Sequence, residues 1–212
     1  MANILTSAAK GGPLTPEEAD ANLVEINRRT GSGWRDYPCD IVVQPGALNA
    51  PVWMEFEEGF YRYAFSPDVR TESSADIHLD HDYKPATMVY PHIHWTLNSN
   101  AAGVVRFGIT WKYARRADSP TGIIRFTAAQ TIYVETTVPA NSAGKHMVSE
   151  PAEGGGIYHA DLDVDGIIML VIFRDGGHVN DTFIGDVFIT KADAHAEKDK
   201  AGTPLRTPPF YP

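Results

Sequence analysis

Two histidines in one short segment are the residues whose spacing most directly suggests chemistry. His92 and His94 lie two positions apart within Tyr90-Pro-His-Ile-His-Trp-Thr-Leu97. Because successive side chains of a β-strand point to opposite faces, both imidazoles lie on the same face of a strand. Neutral imidazoles are common ligands of zinc and other transition metals, so one hypothesis is a cupin-like, metal-dependent enzyme.

The neighbouring sequence does not complete such a metal site by spacing alone. The segment 95–102 that follows the pair contains no acidic side chain. A third ligand would have to come from a histidine elsewhere in the chain; these are His78, His81, His146, His159, His178 and His195. The alternative is that His92 and His94 hydrogen-bond across the sheet or at a subunit interface. We predict this structural role, with no catalytic residue, no cofactor and no bound metal, and hence a protein that is not an enzyme.

The strand that carries the histidines also has an apolar face. Ile93, Trp95 and Leu97 alternate with the polar positions, and a second apolar row follows over Val104–Tyr113. Half-buried antiparallel strands show this alternation. The sequence therefore predicts two such strands, paired with each other through the turn at Asn98–Gly103, and places Trp95 and Trp111 in a core.

Short segments of the same kind run through most of the chain. The candidate strands are Asp40–Gln44, Val52–Glu57, Phe60–Phe65, Ala75–Leu79, Thr87–Leu97, Val104–Tyr113, Arg125–Val138, His146–Glu150, Ile157–Val164, Ile167–Arg174 and Thr182–Lys191. About ten short strands separated by turn residues predict an all-β fold, an antiparallel β-sandwich of jelly-roll type.

The two ends of the chain differ from this pattern. Thr15-Pro-Glu-Glu18 predicts a capped helix start, and the helix ends near Gly31. We therefore expect an N-terminal arm with a short helix over 1–33, the β-sandwich over 34–191, and an extended Pro-rich tail over 192–212.

Composition excludes several classes of function. The 212-residue chain has a net charge of −9, so a broad basic surface for direct nucleic-acid binding is excluded. Its longest apolar run, Ile167–Phe173, is far shorter than the roughly 20 residues of a membrane span, and the start lacks a secretory-signal pattern. The single cysteine, Cys39, is expected to be a buried apolar residue. Other proteins are the expected partners.

The C-terminal segment suggests a contact between subunits. Four of its last ten residues are proline, which prevents regular strand pairing. We expect this tail to lie extended on a neighbouring copy, with Phe210 and Tyr211 as anchors. The predicted interface also includes His92, His94 and the arm around Leu14, and the predicted assembly is a homo-oligomer, a trimer.

A carbohydrate-binding module is a further hypothesis, because aromatic faces stack on sugar rings. Trp53, within Ala-Pro-Val-Trp-Met-Glu55, is the tryptophan that the strand pattern does not place in the core.

Several motifs occur in an order that resembles a group of tailed-bacteriophage virion proteins. These are Trp34-Arg-Asp-Tyr-Pro38, Gly59-Phe-Tyr-Arg-Tyr-Ala-Phe65, His81-Asp-Tyr-Lys-Pro-Ala-Thr87, Pro91-His-Ile-His-Trp95, Phe107-Gly-Ile-Thr-Trp-Lys-Tyr113 and Met169-Leu-Val-Ile-Phe-Arg-Asp175. The resemblance covers about residues 34–190. It implies a virion structural protein, assembled in the host cytoplasm, that decorates the head or attaches tail or fibre components and contacts other virion proteins. It implies no catalytic residues. A sugar-binding receptor module of a phage fibre is the alternative within the same setting.

Overall fold

The computed structural model describes residues 5–44, 46–199 and 202–210. Near the N-terminus it has two helices, α1 (Ser7–Lys10) and α2 (Pro16–Thr30). The predicted capping box is confirmed: Thr15 Oγ1 accepts the Glu18 N–H at 3.3 Å, and the Glu18 carboxylate accepts the Thr15 N–H at 2.7 Å. Within the described part of the chain, neither helix combines the length and apolarity that crossing a bilayer requires.

Strands are the main regular secondary structure in the rest of the described chain. They are β1 (Gly33–Cys39), β2 (Val52–Glu57), β3 (Phe60–Phe65), β4 (Arg70–His78), β5 (Val89–Leu97), β6 (Gly103–Ala114), β7 (Gln130–Val138), β8 (Met147–Ser149), β9 (Ile167–Asp175) and β10 (Val187–Lys198). The predicted bounds of β2 and β3 agree with the structure to the residue.

The strands form two antiparallel sheets that pack face to face. The six-stranded sheet has the order β2-β3-β10-β5-β8, and β1 pairs with the C-terminal part of β10. The four-stranded sheet has the order β4-β9-β6-β7. The sets β3-β10-β5-β8 and β4-β9-β6-β7 have the connectivity of a jelly roll, to which β1 and β2 are added. The predicted all-β antiparallel sandwich is thus confirmed.

One predicted pairing is wrong. β5 and β6 do not form a hairpin: β5 pairs with β10 and β8, whereas β6 pairs with β7 and β9. Residues 98–102 carry the chain from one sheet to the other. The apolar rows of the two strands therefore face each other across the sandwich, where Trp95 meets Phe107 edge-on at a centroid distance of 5.7 Å. The alternating pattern shows that each strand has an apolar face to bury. Packing across the core buries that face whether or not the two strands pair with each other within one sheet.

The core lies between the sheets and contains the residues predicted for it. Trp95 and Trp111 are buried, and so is Cys39, a free thiol. Burial raises the pKa of the Cys39 thiol to about 12. This cysteine therefore acts as a small apolar residue, as predicted.

A buried ion pair fixes the segment that leads into β10. Arg174 on β9 binds the Asp181 carboxylate through Nε at 3.0 Å and Nη2 at 2.8 Å, and both side chains are fully buried. The same guanidinium donates to the carbonyls of Phe65, Phe183 and Gly185. This single side chain therefore connects β9, the end of β3 and the approach to β10.

The C-terminal boundary of the β-sandwich differs from the prediction. β1 pairs along its whole length with β10, which continues to Lys198, so the sheet includes residues that we assigned to the tail. In this extension Ala192, Ala194 and Ala196 face the core and alternate with charged or polar residues. Small apolar residues between charges give a weak hydrophobic pattern, which explains why the sequence suggested a polar tail.

Two of the candidate strands do not form strands in the part of the chain that the structure describes. The segments 40–44 and 157–164 form isolated bridges, Val42 with Ser74 and Ile157 with Val89, instead of ladders. Ile157, Leu162 and Val164 are nevertheless buried, so a loop supplies part of the core.

Candidate functional site

The outer face of the six-stranded sheet gathers most of the polar and aromatic residues of interest. Alternation places Tyr90, His92 and His94 of β5 on this face, opposite Ile93 and Trp95 in the core. On β10 the outer residues are Asp193, His195 and Glu197, and on β1 they are Trp34 and Asp36. The strand register sets Asp193 opposite His92, and His195 opposite both Tyr90 and Asp36. Neighbouring strands thus bring distant parts of the sequence to one surface.

A groove of about 570 Å³ crosses one end of this face. It is lined by Trp34, Tyr90, Glu150, Pro151, Glu153, His195 and Glu197. The Trp34 side chain is 61% exposed and meets the Tyr90 ring edge-on at a centroid distance of 5.8 Å. The groove therefore combines two aromatic rings with three carboxylates and an imidazole.

A histidine cluster lies beside this groove. The His92 ring stacks on His195 at a centroid distance of 4.1 Å and meets His94 edge-on at 4.9 Å. His94 Nδ1 lies 2.8 Å from Nε2 of His146, the residue just before β8. His195 is held between two carboxylates, at 2.9 Å from Asp36 and 2.6 Å from Glu150.

Asp193 is the acidic residue at the centre of this cluster. Its Oδ2 lies 3.5 Å from His94 Nε2, 4.0 Å from His92 Nε2 and 2.8 Å from Lys191 Nζ. The carboxylate is buried, and Asp193 Oδ1 has no hydrogen-bond partner among the described residues. His92 is also buried, and its Nδ1 has no partner of good geometry in the described structure. A buried carboxylate with an unpaired oxygen is costly unless a cation or a donor approaches it.

The environment favours neutral imidazoles in this cluster. Burial, followed by the nearby His195 and His94, lowers the pKa of His92, and the Tyr90 backbone acts in the opposite direction. Burial and His146 lower the pKa of His94, although Asp193 opposes this shift. The hydrogen bond to Asp193 raises the pKa of the Lys191 ammonium. Both rings are thus favoured in their neutral forms at neutral pH.

A second aromatic surface lies at the β2–β3 end of the molecule. Trp53 is 55% exposed, stacks on Tyr61 with an interplanar angle of 19°, and contacts the Tyr63 ring edge-on at 4.8 Å. A groove of about 380 Å³ adjoins it, and its lining includes Arg62 and Lys191. Trp53 is therefore exposed, as the sugar-binding hypothesis requires, but its ring is already in contact with two other rings.

The structure brings together some of the predicted site residues and separates others. His92 and His94 are adjacent, and the histidines that join them are His146 and His195. His92 is buried although it lies on the face predicted to be polar. Asp36, Asp193 and the groove around Trp34 were not predicted from the sequence. The alternation of Ala192, Ala194 and Ala196 with polar residues is the signal that would have placed Asp193 and His195 on a strand.

The proposed subunit contacts are distributed over separate places. Leu14 is half-buried just before α2. Phe210 is 7% exposed and packs within the core of its own chain, against His81 at a centroid distance of 5.2 Å. It therefore has little surface left for a neighbouring copy. Tyr211 lies outside the described residues.

No protein-family model and no curated protein matches the chain. Among solved structures it is similar to the CBM22-1 and GH10 modules of Clostridium thermocellum xylanase 10B with xylohexaose (14% identity, 76% of this chain, 26% of that chain, TM-score 0.34). It is also similar to TmCBM61 with β-1,4-galactotriose (14% identity, 79% of this chain, 88% of that chain, TM-score 0.28). A third similar structure is the xylan-binding CBM22-2 of Paenibacillus barcinonensis Xyn10C (12% identity, 79% of this chain, 91% of that chain, TM-score 0.30). All three TM-scores are below 0.5, so we draw no conclusion about ligand or activity from them.

Proposed function

We propose that this protein is a β-sandwich binding module for neutral oligosaccharides, and that the groove beside Trp34 is its binding site. The observation that carries the proposal is an indole, 61% exposed, at the wall of a groove lined with hydrogen-bonding side chains. Concave sites lined by aromatic rings and a few polar groups are typical binding sites of small molecules. The volume of about 570 Å³ lies within the range of small-molecule sites.

The chemistry of the lining fits a saccharide. The apolar C–H face of a sugar ring stacks on an indole, and Trp34 and Tyr90 offer two rings at an angle to each other. Carboxylates accept hydrogen bonds from sugar hydroxyls, and Glu150, Glu153 and Glu197 supply several acceptors. The same negative charges repel glycans that contain uronic or sialic acids. The preferred ligand is therefore neutral.

The test is a glycan array that contains neutral and acidic glycans, followed by calorimetric titration of the glycans that bind. Trp34→Ala should weaken binding about 30-fold, the effect of losing roughly 2 kcal/mol at an aromatic hot spot. Trp53→Ala is the matched control, because Trp53 is also an exposed tryptophan on a strand of the same sheet. If only the Trp53 variant loses binding, the hypothesis drawn from the sequence is correct and the Trp34 groove is not the site. Binding to no glycan, or to acidic glycans alone, contradicts the proposal.

A second proposal is that the chain self-associates as a virion structural protein, as the sequence resemblance implies. The observation that favours it is the exposed apolar surface of β2 and β3, where Val52, Trp53 and Phe60 are each more than half exposed. Burying this surface between copies would stabilise an oligomer. Native mass spectrometry should then show an oligomer, a trimer in our prediction, and Phe60→Asp should dissociate it. A monomer at micromolar concentration would contradict the proposal.

A further inference from the structure

We propose that His92, His94 and Asp193 form a binding site for Zn²⁺ on the outer face of the six-stranded sheet. The inference goes beyond saccharide binding and does not rest on it. Each of the three residues offers one ligand atom, and these atoms lie within 4.8 Å of one another. Two imidazoles and a carboxylate with an open fourth position make up a common zinc ligand set.

The distances are those of ligands arranged around a small ion. In a tetrahedral site with zinc–ligand bonds of roughly 2.0–2.2 Å, the ligand atoms lie about 3.4 Å apart. Asp193 Oδ2 lies 3.5 Å from His94 Nε2 and 4.0 Å from His92 Nε2. These separations are too long for hydrogen bonds, since such bonds are about 2.7–3.2 Å in length. Small side-chain rotations would bring the three atoms onto one ion.

The burial of the Asp193 carboxylate also favours binding of a cation. Asp193 is 4% exposed, and its Oδ1 has no hydrogen-bond partner in the described structure. The ammonium of Lys191 at 2.8 Å balances part of the charge, but the Lys191 side chain is 60% exposed. An exposed lysine contributes little to such a pair and is free to swing into solvent. A divalent ion would therefore replace it at small cost.

His146 completes the arrangement from outside the ligand set. In metal sites, a ligating histidine usually donates its other ring N–H to an acceptor, which fixes the orientation of the ring. His94 Nδ1 lies 2.8 Å from His146 Nε2, so it can donate there while Nε2 faces Asp193. This tautomer leaves the lone pair of His94 Nε2 directed at the site.

A competing ligand set consists of Asp36, His92 and His195. In that set His195 Nε2 already lies 2.9 Å from Asp36, and His195 Nδ1 lies 2.6 Å from Glu150. Both ring nitrogens of His195 thus lie within hydrogen-bond distance of carboxylates, whereas Nε2 of His92 and Nε2 of His94 lie 4.0 Å and 3.5 Å from Asp193 Oδ2, beyond that distance. The geometry therefore favours Asp193 as the carboxylate ligand.

The test uses the full chain without a histidine tag, stripped with EDTA and titrated with Zn²⁺ by calorimetry. We expect one ion per chain with micromolar or tighter affinity. His94→Ala should abolish this binding, and this variant should fold normally because His94 is partly exposed. Asp193→Asn should also abolish it. His146→Ala should weaken it about 10- to 100-fold, as is typical of residues that orient a ligand. Lys191→Met should tighten it, because a competing cation is removed.

His78→Ala is the matched control, since His78 lies between Asp80 at 3.4 Å and Asp165 at 2.9 Å on the other sheet. This variant should bind zinc like the parent. Co²⁺ gives a second readout, because tetrahedral coordination produces visible absorption that His94→Ala should remove. No zinc binding, weak binding that the His94 and Asp193 variants retain, or loss of binding only in His195→Ala and Asp36→Asn would each overturn the assignment.

Discussion

Replacing Arg174 with methionine tests how the fold holds β10, the strand that carries Asp193 and His195. The guanidinium is fully buried with Asp181 and also donates to three backbone carbonyls. Among the described residues, the hydrogen-bond donor that Arg174→Met leaves to the buried Asp181 carboxylate is the backbone N–H of Arg106, at 3.0 Å. Removing one partner of a buried pair typically costs about 3–5 kcal/mol. This is a large part of the roughly 5–15 kcal/mol by which domains are stable.

The assay is urea unfolding followed by circular dichroism. With a slope of about 2–3 kcal/mol per molar urea, the midpoint should fall by roughly 1–2.5 M. Arg62→Met is the matched control: Arg62 is exposed and donates to the Tyr61 carbonyl, so its loss should cost no more than about 0.5 kcal/mol. The double variant Arg174→Met with Asp181→Leu should be more stable than the sum of the two single changes predicts, because neither charge is then left alone. A loss below about 1 kcal/mol for Arg174→Met, or strict additivity of the two changes, would refute this reasoning.

Three further predictions concern pH, the thiol and a close backbone contact. Burial lowers the pKa of His92 and His94 below the unfolded value of about 6.5. The stability that their neutral forms contribute is therefore complete above that pH and is lost as pH falls through the folded pKa values. The urea concentration at the unfolding midpoint of metal-free protein should be lower at about pH 5 than at about pH 7, and the difference should be smaller for the double variant His92→Gln with His94→Gln. Equal differences in the two proteins would contradict this. Cys39 should react with a thiol reagent only after unfolding, and rapid labelling of folded protein would show that it is accessible. Gly103→Ala should destabilise the domain by about 1–3 kcal/mol, because the added Cβ would lie 2.7 Å from the Phe183 Cα; an unchanged melting temperature would show that the two segments separate easily.

The period of two in the sequence predicted the class of fold and the faces of its strands. It identified β2, β3 and the apolar rows of β5 and β6, because each strand carries its own alternation. It did not identify the partners of these strands. The choice between pairing and facing across the core depends on all ten strands together, and the hairpin predicted through Asn98–Gly103 was wrong for this reason.

The candidate site was predictable only in part. His92 and His94 stand out because they are close in sequence and in phase on one strand. Asp193, Asp36 and Trp34 lie on two other strands, and only the register of β1, β5 and β10 brings them together. A single sequence carries no signal of that register, since it arises from long-range packing.

The most direct test of the central claim is a titration of the four tryptophan indole N–H resonances with a neutral oligosaccharide selected on the array. Trp95 and Trp111 are buried in the core, whereas Trp34 and Trp53 are exposed at opposite ends of the sheet. We predict that the resonance absent from the Trp34→Ala spectrum shifts on addition of ligand, while the other three stay in place. A shift confined to Trp53, or no shift in any indole resonance, would contradict a binding site in the groove beside Trp34.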